Sequence, residues 1–137
     1  MTKPASVEPK AWRSAGVWMA ALIAALMLSN TWRSATDPVA FARYFGIVAA
    51  ADVNPAFVYV YASRALFLGV ITALLLWKRQ FAALSYFAAA AIIMPVCDAL
   101  LVFRSGGEPT IIMRHAATAL YLLVTAALLA RWASQKR

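Results

Sequence analysis

Apolar residues dominate four long stretches of this chain, and polar residues gather in the segments between them. The stretches are residues 14–32, 57–77, 81–103 and 110–131. Each is close to the roughly 20 helical residues that cross a bilayer core. Between the second and third lies only WKRQF, which predicts a tight hairpin. Between the third and fourth lies RSGGEP, where glycines stop one helix and Pro109 starts the next. Residues 33–55 are too many for a hairpin and too polar to span. Within them, DPVAFARYFG offers Asp37 as an N-cap, Pro38 at the first helical position and Gly46 as a stop. Phe41, Tyr44 and Phe45 share one side of that short helix. The pattern predicts an all-α membrane protein: a single domain over residues 1–137, built as a four-transmembrane-helix bundle. A short interfacial helix between spans one and two lies across the outer end.

Composition strengthens this reading. The chain is 64% hydrophobic and 13% charged, where soluble domains carry about 25% charged residues. A single Cys97 excludes an intramolecular disulfide, and no Cys/His cluster suggests zinc. Cys97 itself reads as core packing. The net charge of +8 would suit nucleic acid, but the basic residues sit at the ends of apolar runs and build no basic face, so no nucleic acid is expected. They read better as topology. Lys3, Lys10, Arg13, Lys78, Arg79, Arg131, Lys136 and Arg137 fall on one side, and Arg33, Arg43, Arg104 and Arg114 on the other. That asymmetry places both termini in the cytoplasm, with the bacterial inner membrane as the location in a prokaryote. The first span has a basic start and an apolar core like a signal peptide, but it lacks a convincing small-x-small cleavage site and reads as a retained span. Ala65 and Gly69 form a small-xxx-small pair, and Ala88–Ala91 thin the third span. Such residues let helices approach closely in lipid.

Three ionisable residues interrupt the apolar spans. Arg64 lies about 10 Å from the outer end of span two, counted at about 1.5 Å per residue. Asp98 lies about 7.5 Å from the outer end of span three, and His115 at a similar depth in span four. Three helices thus bring ionisable groups to one layer. Arg64 cannot shed its charge, and Asp98 is the sole acid within a span, so a bidentate Arg64–Asp98 pair is the expected arrangement. His115 would titrate near neutrality beside it. Tyr61 shares a face with Arg64, Thr118 shares a face with His115, and Asn30 reaches similar depth. Pro95 should kink span three beside Asp98. The helix carrying Arg43 and Tyr44 would close the layer as a lid. Arg104 and Arg114 read as snorkelling residues.

The run DPVAFARYFG, then YASRALFLG, then PVCD, then a late histidine in span four resembles the domain-of-unknown-function 4267 family. That family comprises small four-helix integral membrane proteins, broadly similar to the DoxX-like group. The resemblance covers residues 36–130, and Arg64, Gly69, Asp98 and His115 fall on positions that recur in the family. Members often carry an acid just after that arginine. Here Ala65 stands there, which leaves Asp98 as the counter-ion. The family implies a fold and no reaction.

Several functions suit these parts. One is a membrane-embedded acid–base enzyme, an isomerase, cyclase or epoxide-opening hydrolase, acting on a lipophilic small molecule from the outer leaflet. Asp98 or His115 would move the proton, Arg64 would orient Asp98 or hold an oxyanion, and Tyr61 would donate a hydrogen bond. Asn30, Arg43, Tyr44 and Thr118 would line the substrate's path. No metal or cofactor is expected, since no Walker loop, GxGxxG or HExxH is present. A second reading is an accessory subunit, in a homo-oligomer or a larger membrane complex, with Arg64–Asp98 as a structural tie. A small transporter is the third, although no internal repeat supports it.

Overall fold

The computed structural model describes residues 14–46 and 55–134. The basic residues counted above at Lys3, Lys10, Arg13, Lys136 and Arg137, and the stretch 47–54, lie outside the described residues. The described chain forms α1 (Ala15–Thr36), α2 (Pro38–Phe45), α3 (Pro55–Trp77), α4 (Phe81–Ala91), α5 (Ile93–Arg104) and α6 (Pro109–Ser134). Four helical units, Ala15–Thr36, Ala56–Trp77, Phe81–Arg104 and Pro109–Ser134, are long and apolar enough to cross a membrane. The molecule is an all-α bundle of four such helices, with α2 between the first two.

Local chemistry explains the ends. Asp37 accepts a hydrogen bond from the Ala40 backbone N–H at 2.9 Å, with Pro38 at the first helical position. Gly46 ends α2 at φ +106, a left-handed conformation that side chains resist. A Cβ there would also meet Ile111 Cγ2 at 2.8 Å. Pro109 opens α6. The third span is two helices rather than one. Pro95 has no N–H for the Ala91 carbonyl and its ring crowds that carbonyl. The break falls there, at Ile92, whose N–H turns instead to Ala89 O at 3.3 Å.

α1 packs on α3 and on α6, and α6 packs on both α4 and α5. α2 sits across one end against α1 and α3. α3 joins the third span mainly through α4, and α3 and α5 share little backbone contact. The α1–α3 seam runs through small residues. Ala65 is buried, and a Cβ on Gly69 would stand 2.9 Å from the Leu28 side chain. Two apolar clusters hold the ends of the bundle. Val17, Ala20, Phe81, Leu84 and Leu129 pack at the end of the α3–α4 hairpin, while Phe41, Ala42, Phe45, Val58 and Val102 pack at the α2 end. Large apolar side chains such as Phe67, Leu120, Tyr86 and Phe103 face outward. That inversion suits a solvent of lipid tails, where helices associate by close packing rather than by hydrophobic burial.

Candidate functional site

A cavity of about 240 Å³ occupies the middle of the bundle, lined from all six helices. Along α3, Tyr61, Arg64, Ala65, Leu68 and Thr72 line it. Tyr61, Ala65, Leu68 and Thr72 are spaced by three and four residues, a single helical stripe about 16 Å long. Toward the hairpin end the walls are apolar, with Leu84, Phe87 and Leu122. Toward α2 they are polar. Asn30, Arg33, Arg64, Asp98, Arg114, His115 and Thr118 all line that end. The shared layer expected from the sequence is therefore one space.

The pairing inside that space differs from expectation. No hydrogen bond or ion pair joins Arg64 to Asp98 among the described residues, and Arg64 is exposed. Asp98 lies within electrostatic reach of both His115 and Arg64. The cause is packing. α5 lies on α6, which carries His115, whereas α3, which carries Arg64, has little backbone contact with α5.

His115 is oriented by the short helix. Its Nε2 lies 3.3 Å from Phe45 O, and the two rings meet at a tilt of 59° with centroids 5.0 Å apart. A carbonyl oxygen only accepts, so Nε2 carries a proton in this contact. In the neutral ring the lone pair then belongs to Nδ1, leaving that nitrogen to accept a proton. Tyr61 is wedged against Phe41 and Phe45 at centroid distances of 4.9 and 5.3 Å, with the Asn30 side chain beside its hydroxyl.

Tyr44 fixes the other side of α2. Arg33 and Arg114 both stack on its ring, at 4.4 and 4.0 Å from the centroid, and Arg114 also donates to the Tyr44 carbonyl. Arg114 therefore does not snorkel. It turns onto α2 and lines the cavity, and Arg33 joins it there. An aromatic face near both helix ends was the signal available in the sequence. Arg43, expected along the substrate's path, is exposed and absent from the cavity lining. It lies two residues from Phe41, about 200° around the helix, and so falls opposite the buried face. Cys97 is exposed rather than packed in the core. Its neighbour Asp98 faces the cavity, which turns position 97 about 100° outward.

Thr72 was not anticipated. It is 3% exposed, lines the cavity, and makes no hydrogen bond among the described residues. Thr31, Thr36, Thr118 and Thr125 each bond to the carbonyl four residues back, the usual habit of a helical threonine. Thr72 is left as a hydrogen-bonding group in the apolar half of the cavity.

No group of three or more His, Cys, Asp or Glu among the described residues is arranged to hold a metal ion. Fold and cavity define a class: a small four-span membrane bundle with a polar pocket beneath a short capping helix. The chain belongs to the family described as Domain of unknown function (DUF4267), whose model matches residues 24–129. No curated protein and no solved structure matches the chain significantly.

Proposed function

We propose that the protein is a membrane-embedded acid–base enzyme acting on a lipophilic small molecule held in this cavity, in the outer half of the bilayer. The observation that carries the reading is the convergence of Asp98, His115, Arg64 and Tyr61 on one space with an apolar floor. Intramembrane ionisable groups are costly, so their gathering around a cavity favours a site. Asp98 and His115 are electrostatic neighbours and form the natural pair for proton transfer. One takes a proton from carbon or oxygen of the substrate, and the pair returns one elsewhere on the same molecule. Arg64 and the Tyr61 hydroxyl supply positive charge and a donor for an oxygen that becomes negative on the way. An isomerisation or cyclisation needs nothing more in its balance.

The reading of Arg64–Asp98 as a structural tie has less to support it, because the two helices it would fasten are apart. An accessory subunit would still tolerate an empty cavity, and mutation separates the two. Lipid extracts of membranes carrying the wild type are compared with those carrying Asp98→Asn, both checked for folding. The enzyme reading expects one lipophile to accumulate with Asp98→Asn and its isomer or cyclised form to appear only with the wild type. Identical extracts from two folded proteins would remove it.

A further inference from the structure

The side of the bundle between α3 and α5 is unlike the other three. α1–α3, α1–α6 and the third span on α6 are all packed, but α3 and α5 share little backbone contact and meet only around the α2-end cluster of Val58 and Val102. Arg64 stands on α3 at this place, exposed and yet lining the cavity, without a hydrogen-bonded partner among the described residues. Arg33 and Arg114, the other two guanidiniums in the lining, are already committed to Tyr44. Three guanidiniums share the lining with one carboxylate, Asp98, which also has His115 within electrostatic reach. The polar end of the cavity therefore carries an excess of positive charge among the described residues, and Arg64 is the guanidinium in its lining that has no hydrogen-bond or ring partner there. An arginine in an apolar span is expensive unless something answers its charge. A guanidinium fork matches carboxylate and phosphate oxygens in particular.

We infer that the site takes a single-chain amphiphile with an anionic head, which enters from the membrane between α3 and α5. Its head rests on Arg64, and its chain runs along Ala65 and Leu68 toward Phe87, Leu122 and Thr72. The inference rests on the reading of the cavity as a lipophile site and adds the head-group chemistry and the entrance. Asp98 is set back toward α6, so it can stay beside His115 while the anion sits across the gap. Carboxylate and phosphate share the chemistry that Arg64 recognises.

The experiment uses the full chain in nanodiscs of zwitterionic lipid, with native mass spectrometry counting bound molecules. The probes are dodecanoate, dodecyl phosphate, dodecanol and dodecylamine, compared at equal concentration in the membrane. One anion should bind about tenfold or more tighter than the alcohol, as expected for a charge-assisted hydrogen bond, and the tighter anion names the head. Arg64→Gln should erase that preference, so that the anion and dodecanol bind alike, and Arg64→Lys should restore part of it. Ala88→Trp, which fills the cavity, should remove all binding. Equal binding of anion and alcohol would overturn the inference while leaving the lipophile site standing. So would a preference that survives Arg64→Gln. If no probe binds the folded wild type in a way that Ala88→Trp abolishes, the inference and the reading beneath it both fail.

Discussion

The two flanks of α3 are built on opposite plans. Toward α1 it presents Ala65 and Gly69, and the backbones approach until a Cβ on Gly69 would touch Leu28. Toward α5 it presents Arg64 across a gap that the cavity fills. One helix thus fastens the bundle on one side and holds it open on the other. In lipid, where apolar burial gives no drive between helices, small residues decide where two of them close. A charged residue decides where they do not. The lesson is that stability and function divide by face along a single span.

The closed flank should be the sensitive one. Gly69→Leu forces a branched side chain against Leu28 and should lower the unfolding free energy by about 1–3 kcal/mol, the usual cost of overpacking. Unfolding in mixed micelles checks it, and a loss no larger than that of Gly69→Ala would say the seam is looser than the geometry implies. Tyr44→Ala should come next. It frees Arg33 and Arg114 from the ring, at about 0.5–1 kcal/mol for each exposed contact. Amide hydrogen exchange in α2 should rise, while Tyr44→Phe keeps most of the protection. Unchanged exchange in Tyr44→Ala would mean that Phe41 and Phe45 alone hold the helix.

Smaller effects belong to the open flank. A 12-hydroxydodecanoate probe offers its far oxygen to Thr72 and should bind about fivefold tighter than dodecanoate, one hydrogen bond's worth. Thr72→Val should remove that difference without weakening dodecanoate. Arg64→Gln should change stability least of all, by less than about 0.5 kcal/mol, since it breaks no hydrogen bond or ion pair among the described residues. A large loss of stability would mean that Arg64 is a fastener after all, and the contrast between the flanks would collapse.

What the sequence made legible follows the range of the physics involved. Four spans, the hairpin at WKRQF, the Asp37 cap, the Gly46 stop and the start at Pro109 depend on neighbours along the chain, and these features stand in the structure. The common depth of Arg64, Asp98 and His115 was also readable, because rise per residue is fixed. Their pairing was not. Charge alone favoured Arg64 with Asp98, but which ions meet depends on which helices touch, and α5 touches α6. Arg114 and Cys97 were misplaced for a related reason: the rotation of a helix about its axis is set by packing, and mean hydropathy is nearly blind to it. Thr72 left no signal, since a threonine that bonds backward and one that faces a cavity look alike in sequence.

As an enzyme of this kind, the protein holds a lipophile in the space between Arg64 and Thr72, inside the bundle rather than on it. A photoactivatable diazirine analogue of dodecanoate, crosslinked in nanodiscs and mapped by peptide mass spectrometry, tests this directly. Labels are expected on cavity residues such as Leu68, Phe87 and Leu122, sharply reduced in Ala88→Trp. Labels spread over outward residues such as Phe67, Leu120 and Phe103, and indifferent to Ala88→Trp, would contradict it.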